Sequence, residues 1–209
     1  MTEPVTVPVY ALHTDTVRRA DRSVLEQRMP ERMKKAARFR FERDRLLCIG
    51  AGLLMMQALG IPDESVLAYG PYGKPSAPGF PGFSLSHSGE WVVLAAGPDP
   101  VGADLEKPDS AHLQVAGRVF TTGEREWMSA DPVRRFFQLW TWKESVMKAL
   151  GLGMNLDPAS FDVMPFTRDE PVRLDGREWY AASGQLKEYA FSVCASCPVL
   201  PSLRIFQPR

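Results

Sequence analysis

The chain has 209 residues, of which 44% are hydrophobic and 24% charged, and this ordinary globular composition excludes disordered, collagen-like and low-complexity proteins. Its 25 basic and 25 acidic residues cancel, which argues against a dedicated nucleic-acid binder, and no apolar run is long enough to span a bilayer. Residues 1–4 lack the basic and apolar regions of a signal peptide. Three cysteines make a poor disulfide framework, so we expect a cytoplasmic protein.

The first half of the chain predicts strands around a long helical region. Gly60 and Pro62 follow that region and form a typical helix stop, and a turn at Ser88-Gly89 divides an apolar run into two strands. The predicted elements are, in order, a strand at 4–12, helix from 23 to 59 with a basic stretch at 31–45, a Gly/Pro-rich loop at 69–82, paired strands within 83–96, and a strand at 101–106.

The second half repeats that order. Thr121 and Glu124 have capping-box spacing at a helix start, a stronger helix covers 133–150 and stops at Gly151, and apolar strands follow near 161–164, 179–182 and 188–195. Both long helices end in Ala-Leu-Gly, at 58–60 and 149–151. This echo predicts two similar α+β lobes joined near residues 97–101, with a site in the cleft between them.

The strand at 101–106 carries two carboxylates. Asp104 and Glu106 stand at i and i+2, so they point to the same side of the strand, and Gly102 nearby is expected to leave room for a ligand. Neighbouring carboxylates repel unless a cation neutralises them, and Mg²⁺ prefers such oxygen ligands. The alternative, which a motif this short leaves open, is a solvated edge strand.

The helix near 134–150 adds a third carboxylate and an ammonium group. Glu144 and Lys148 are spaced i, i+4 and share a face, with Lys143 beside them. The neighbouring apolar face is predicted to comprise Phe136, Leu139, Trp140, Val146, Met147 and Leu150. One interpretation is an ordinary surface ion pair; the other is a metal ligand, Glu144, with a lysine that stabilises charge on phosphate oxygens.

Several polar groups are candidates for binding an anion. Ser86 and His87 precede a turn, and Lys74 lies in the Gly/Pro loop; a structural histidine and a plain turn are the alternatives. The basic helical stretch, including Lys34, Lys35 and Arg45, is either a solvated face or a phosphate-binding surface. Cys194 and Cys197 have C-x-x-C spacing without a second pair of ligands, so we interpret them as structural.

In combination, these segments resemble the 4′-phosphopantetheinyl transferase superfamily of the surfactin-synthetase (Sfp-like) type. The matching segments are Tyr72-Gly73-Lys74-Pro75, Phe83-Ser84-Leu85-Ser86-His87-Ser88, Val101-Gly102-Ala103-Asp104-Leu105-Glu106 and the run from Phe136 to Gly151. They occur in family order at family-like spacing. Ala103 departs from the family's usual isoleucine or valine, at a position that points away from the carboxylates.

The resemblance implies an α+β fold of two lobes with a pseudo-twofold relation, divided here as residues 1–98 and 99–209. It implies an enzyme of the holo-[acyl-carrier-protein] synthase type, which moves the 4′-phosphopantetheine arm of coenzyme A (CoA) onto a serine of an apo carrier protein and releases adenosine 3′,5′-bisphosphate. It assigns Mg²⁺, with Mn²⁺ as the alternative ion, to Asp104, Glu106 and Glu144. Glu144 is base, ligand or both, and Lys148 stabilises the leaving group. CoA is assigned to Lys74, Ser86, His87, Arg45, Lys34 and Lys35.

The implied partners are CoA and an apo acyl or peptidyl carrier protein, bound by a monomer with no nucleic-acid or membrane partner, and we expect residues 107–135 to dock the carrier. Three other functions stay open from the residues alone. One is a Mg²⁺-dependent pyrophosphate or nucleotide hydrolase that uses the same carboxylates. The others are a non-catalytic CoA- or anion-binding module and nucleic-acid binding through residues 32–45.

Overall fold

The computed structural model describes residues 3–98, 100–164 and 170–208 of the chain. Asp99, at the predicted boundary between the lobes, lies outside the described residues. The fold is a mixed α+β arrangement of two four-stranded sheets, a two-stranded ribbon and seven α-helices within these ranges. None of the helices in the described ranges combines the length and the apolar character that crossing a membrane requires.

Most predicted strands are present. The strands are β1 (Val5–His13), β2 (Ala68–Tyr69), β3 (Pro75–Ser76), β4 (Gly82–Ser88), β5 (Trp91–Gly97), β6 (Val101–Glu106), β7 (Val172–Leu174), β8 (Arg177–Leu186), β9 (Tyr189–Ala195) and β10 (Val199–Ile205). The turn at Ser88-Gly89 is confirmed, and Gly89 adopts a positive φ of 53° there. Strand β10 was not predicted, and its Pro201 is tolerated because β10 lies at the edge of its sheet. The short strands β2, β3 and β7 were not predicted either.

The helices divide the predicted helical region into shorter pieces. They are α1 (Thr14–Arg19), α2 (Ser23–Arg28), α3 (Pro30–Ala37), α4 (Glu42–Ala58), α5 (Ala116–Val119), α6 (Thr122–Met128) and α7 (Pro132–Leu150). The predicted capping box is confirmed, since Thr121 and Glu124 cap α6 reciprocally. The stop at Gly151 is also confirmed, with a left-handed φ of 73° after the last turn of α7.

The two large sheets have the strand orders β10-β1-β5-β4 and β6-β9-β8-β7. Strand β10 pairs in parallel with β1, from Val5 opposite Val199 to Ala11 opposite Ile205. The end of the chain therefore completes the sheet that the beginning of the chain starts. The second sheet is antiparallel, and its β6–β9 register places Asp104 opposite Ser192.

Apolar residues form three clusters that order the fold into layers. The first joins α4 to one face of the first sheet, and the third joins α7 to one face of the second sheet. The middle cluster contains Val9 and Val93 of the first sheet together with Leu105 and Val193 of the second. The layers therefore run helix, sheet, sheet, helix, with the two sheets packed against each other in the centre.

The prediction of a strand near 161–164 is wrong, since the structure has no strand there. Phe161 and Val163 are buried as an apolar strand would require, but their backbone groups pair with side chains instead of with a neighbouring strand. The Lys143 ammonium donates to the Phe161 carbonyl, and the Val163 amide donates to Glu124. Because those side chains satisfy the main chain, no sheet ladder forms at this segment.

Candidate active site

The candidate site lies where β4, an edge of the first sheet, runs beside β6, an edge of the second. Serine hydroxyls on alternate residues of β4 connect the two strands, each accepting a backbone amide of β6 or of the residue directly after it. The donor–acceptor pairs are Ala103 to Ser84 at 3.0 Å, Leu105 to Ser86 at 3.3 Å and Lys107 to Ser88 at 3.0 Å. This seam places the side chains of β4 next to the carboxylates of β6.

Gly102 brings β6 into direct contact with α7. A Cβ atom on Gly102 would lie 1.8 Å from the Ser145 carbonyl oxygen and 2.5 Å from the Ala149 nitrogen. The expectation that this glycine leaves room for a ligand is therefore wrong, because helix backbone fills the space. The glycine instead permits the close approach that carries Asp104 and Glu106 up to the helix bearing Glu144 and Lys148.

Asp104 is the most tightly held of the carboxylates. The Ser86 hydroxyl donates to its Oδ1 at 2.8 Å, and the Lys148 ammonium donates to the same oxygen at 2.5 Å and to Ser86 Oγ at 2.9 Å. Its second oxygen, Oδ2, is buried without a hydrogen-bond partner among the described residues. A buried carboxylate oxygen in that state is an acceptor for a further cationic or donor group.

Glu106 is held from two sides. The Ser88 hydroxyl donates to its Oε2 at 2.9 Å, and the indole of Trp140 also hydrogen-bonds to the carboxylate. Burial, followed by the negative charge of Asp104, raises the pKa of Glu106 to about 7. The prediction that Trp140 serves only the apolar face of α7 is thus incomplete, since its ring is half-buried and its polar edge reaches the site.

Glu144 and Lys148 complete the charged cluster from α7. Burial raises the pKa of Glu144, Lys148 opposes that shift, and the charge of Asp104 adds to it. Burial alone would lower the pKa of Lys148, but Asp104 and Glu144 outweigh it and raise that pKa. The predicted i, i+4 pair therefore faces β6, and it is more than a solvated surface pair.

The donor chemistry of this cluster fits a hard divalent cation. Within the described ranges, no three His, Cys, Asp or Glu side chains stand in the arrangement of a finished metal site. However, Asp104 presents an unpartnered buried oxygen, and burial raises the pKa of both Glu106 and Glu144, with the charge of Asp104 adding to each shift. Buried oxygen ligands that repel one another are the set that a cation such as Mg²⁺ stabilises.

A cavity of about 570 Å³ opens beside the cluster, at Lys148. Four of the predicted site residues line it, namely Lys35, Lys74, His87 and Lys148. Sequence reasoning missed several others: Arg32, Phe39, Asp44, Tyr69 and Gly151. Arg32 could have been predicted from the sequence, because it precedes Lys35 by three positions on α3 and therefore lies on the same face of the helix.

Lys74 and His87 occupy different chemical environments in this cavity. The Lys74 ammonium donates to the Val101 carbonyl at 2.9 Å and to the Ala149 carbonyl at 3.1 Å, so it joins the start of β6 to the end of α7. Burial lowers the pKa of His87, and the positive charge of Lys148 lowers it further. The imidazole is therefore neutral near pH 7 and can act as a hydrogen-bonding group rather than as a cation.

Three predicted CoA-binding residues do not line the cavity, namely Ser86, Lys34 and Arg45. Lys34 pairs with Glu31 at 2.6 Å on the exposed side of α3. Arg45 donates to the carbonyls of Phe39 and Arg40, which closes the turn between α3 and α4. Lys143, expected beside Glu144 and Lys148, is instead buried against Glu124 at 2.9 Å. The three cysteines, all within the described residues, are free thiols.

Comparison with known proteins identifies the family. The family model described as 4′-phosphopantetheinyl transferase superfamily matches residues 100–194. The 4′-phosphopantetheinyl transferase Sfp of Bacillus subtilis (strain 168) is 32% identical over 188 residues, which cover 82% of this chain and 84% of that protein.

Two further relatives match over shorter lengths. The 4′-phosphopantetheinyl transferase gsp of Aneurinibacillus migulanus is 39% identical over 51% of this chain and 47% of its own length. An L-aminoadipate-semialdehyde dehydrogenase-phosphopantetheinyl transferase of Xenopus laevis is 33% identical over 67% of this chain and 55% of its own length. The resemblance predicted from four short motifs is confirmed, and the chain belongs to the Sfp-like 4′-phosphopantetheinyl transferase superfamily.

Proposed function

We propose that this enzyme transfers the 4′-phosphopantetheine group of CoA to a serine of an apo carrier protein and releases adenosine 3′,5′-bisphosphate. The observation that carries the proposal is the contact of Lys148 with Asp104 at the edge of the 570 Å³ cavity. It joins a basic cavity of cofactor size to a cluster of carboxylates. The relatives reported above are all transferases by name, and none of these names supports the alternative hydrolase.

The reaction requires an oxygen nucleophile to attack a pyrophosphate. The serine oxygen forms a bond to the β-phosphorus of CoA, the bond from that phosphorus to the bridging oxygen breaks, and its electron pair leaves with the bisphosphate. Glu144 takes the serine proton, because burial raises the pKa of its carboxyl and makes it a stronger base. Lys148 stands one helical turn away and balances charge on the departing phosphate.

We assign the divalent cation to Asp104, Glu106 and Glu144. Bound there, Mg²⁺ would neutralise the pyrophosphate and orient it for in-line attack. The unpartnered Asp104 Oδ2 supports this assignment. Lys148 already neutralises the other Asp104 oxygen at 2.5 Å, so the carboxylate serves both the cation and the lysine.

We assign the nucleotide end of CoA to the cavity. Arg32 and Lys35 supply positive charge on one wall, which suits the phosphates, and His87 offers a neutral ring nitrogen. Lys74 lines the same cavity but also fixes β6 to α7. Ser86 is only 6% exposed and engages Asp104 and Lys148, so we assign it to supporting those groups rather than to touching CoA.

The remaining features of the proposal concern the whole molecule. We propose that residues 1–98 and 99–209 form two lobes with a pseudo-twofold relation and that the site lies where they meet. Strand β10 is the exception, because it belongs to the second segment but joins the sheet of the first lobe. The enzyme acts as a cytoplasmic monomer. The carrier docks on residues 107–135, which follow the carboxylates of β6 directly.

The deciding experiment incubates the protein with CoA, Mg²⁺ and a panel of apo carrier proteins and measures the intact mass of each carrier. A gain of about 340 Da on one carrier, the mass of the phosphopantetheine group, supports the proposal. Glu144→Gln and excess EDTA should each abolish the gain, because ligand and metal act as one unit. Glu26→Gln, an exposed glutamate on α2 and outside the proposed docking segment, is the matched control and should retain it.

Two results would contradict the proposal. One is the absence of any mass gain across the panel. The other is phosphate release from CoA at an equal rate with and without carrier, which is the behaviour of a hydrolase.

A further inference from the structure

Three serines on β4 make the same contact with β6 but differ in what their protons do. Ser84 and Ser86 each accept one backbone amide of β6, and Ser88 accepts the amide of Lys107, directly after β6. Ser86 and Ser88 also donate to the side chain of the residue that precedes each amide donor, at 2.8 Å to Asp104 and 2.9 Å to Glu106. Among the residues that the structure covers, Ser84 has no carboxylate partner.

The Ser88 hydroxyl is fixed in direction by these two bonds. A serine hydroxyl has one proton to donate and lone pairs that accept. Since the Lys107 amide takes a lone pair at 3.0 Å, the oxygen is anchored to the backbone just beyond Glu106. Its only proton is then directed at the Glu106 carboxylate.

Glu106 depends on such anchoring more than an exposed glutamate would. It stands at the end of β6, where the strand gives way to a loop, and a glutamate side chain has several rotatable bonds to restrain. Trp140 of α7 holds the carboxylate from one side, and Ser88 of β4 holds it from the other. The two contacts fix the carboxylate between the first sheet and α7.

We propose that Ser88 is a positioning residue that orients Glu106 for the divalent cation, a role that rests on the proposed metal assignment. The seam bond from Lys107 keeps β4 and β6 in register, and the proton of the same hydroxyl sets the carboxylate. Groups that hydrogen-bond to metal ligands typically change metal affinity about 10- to 100-fold when they are removed.

The alternative is that Ser88 only holds the two sheets together, and Ser84 is the matched control for that role. Ser84→Ala removes the same kind of seam bond, between a β4 hydroxyl and a β6 amide, without touching a carboxylate. A purely structural role predicts the same effect on metal binding for Ser84→Ala and Ser88→Ala. A positioning role predicts that only Ser88→Ala weakens it.

The test measures Mn²⁺ binding to the full-length protein by the electron paramagnetic resonance signal of free Mn²⁺, without CoA or carrier. We expect Ser88→Ala to bind Mn²⁺ about tenfold more weakly than the unaltered protein. Ser88→Thr, which keeps the hydroxyl, should restore the affinity to within about threefold, on the same scale of effect, and Ser84→Ala should leave it unchanged. Circular dichroism melts of each variant verify that it is folded.

Two outcomes overturn the inference while the proposed function stands. In one, the unaltered protein modifies a carrier and binds Mn²⁺, yet Ser88→Ala binds it equally well. In the other, Ser84→Ala weakens binding as much as Ser88→Ala does. If the unaltered protein binds no Mn²⁺, the metal assignment and the role of Ser88 both fail, whereas absence of carrier modification alone contradicts only the transferase.

Discussion

Glu124 and Lys143 form an ion pair in which both side chains are 0% exposed, with 2.9 Å between Oε1 and Nζ. The pair also serves the backbone. Glu124 accepts the amides of Thr121 and Val163, and Lys143 donates to the carbonyls of Pro158 and Phe161. These contacts hold the start of α6 and residues 158–163, which follow α7, against Lys143. Lys143 directly precedes Glu144 in the chain.

Removing one member of this pair should destabilise the protein strongly. Glu124→Gln or Lys143→Met leaves a buried charge without its partner, at an expected cost of about 3–5 kcal/mol in the free energy of unfolding. Burial already lowers the pKa of Lys143 even though Glu124 opposes the shift. Urea denaturation at neutral pH measures the loss.

The exposed pair between Asp131 and Arg134 is the control for this prediction. It joins the two side chains at 2.7 Å, but they are 45% and 61% exposed. Asp131→Asn should therefore cost less than about 1 kcal/mol. Equal losses for the buried and exposed pairs would contradict the role given to Glu124 and Lys143.

The contact of Gly102 with α7 gives a second prediction. Gly102→Ala places a methyl group into the backbone of Ser145 and Ala149, so β6 must move away from the helix. We expect a loss of about 3 kcal/mol or more in unfolding free energy and, because Asp104 moves with the strand, a much lower rate of carrier modification. Thermal melts and the intact-mass assay measure the two effects.

Gly117 provides the matched control for that substitution. A Cβ atom there meets nothing within 4 Å, and the residue lies in the short helix α5. Gly117→Ala should change stability by no more than about 1 kcal/mol. A well-folded Gly102→Ala protein with ordinary activity would show that the close approach is not required.

The cavity wall on α3 allows neighbouring lysines to be compared. Lys35 lines the cavity, whereas Lys34 is exposed and pairs with Glu31. Lys35→Ala should weaken CoA binding about tenfold, because it removes a charge-assisted contact to phosphate, while Lys34→Ala should leave the affinity unchanged. Isothermal titration calorimetry with CoA decides between them, and equal effects would assign the loss to the general charge of α3.

The sequence predicted the elements that carry strong local signals. An apolar run divided by the turn at Ser88-Gly89 identified β4 and β5, and the capping pair of Thr121 and Glu124 fixed the start of α6. The carboxylates of β6 and the charged face of α7 were also predicted from spacing, since i, i+2 on a strand and i, i+4 on a helix place side chains on one face.

The rest depended on contacts between distant segments. Strand β10 pairs with β1 from the far end of the chain, and no local pattern specifies that partner. Lys143 was expected beside Glu144 and Lys148, yet it points about 100° away from its neighbour Glu144 and pairs with Glu124, a partner that no local pattern specifies. Gly102 was interpreted as room for a ligand, because sequence alone does not show that Ser145 and Ala149 fill the space.

The raised pKa of Glu106 gives the last prediction, a dependence of stability on pH. Burial and the charge of Asp104 raise that pKa from the ordinary 4.5 to about 7. Between these values the folded protein keeps the proton that the unfolded chain has released, so the folded state binds more protons. The contribution of Glu106 to stability in the absence of metal therefore falls as pH rises from about 4.5 to 7 and then levels off.

The variant Glu106→Gln isolates this contribution, because it cannot ionise. Its unfolding free energy relative to the unaltered protein should rise across that interval by at most about 3 kcal/mol, the upper limit set by the pKa difference. Urea denaturation at several pH values in EDTA measures it, with Glu26→Gln as the baseline. Added Mg²⁺ should stabilise the unaltered protein more at pH 8 than at pH 5.5, because the cation competes with the proton for the same carboxylate. A stability difference that stays flat between pH 4.5 and 8 would show that folding does not raise the pKa of Glu106, and the carboxylate cluster would then lack the mutual repulsion on which the cation assignment depends.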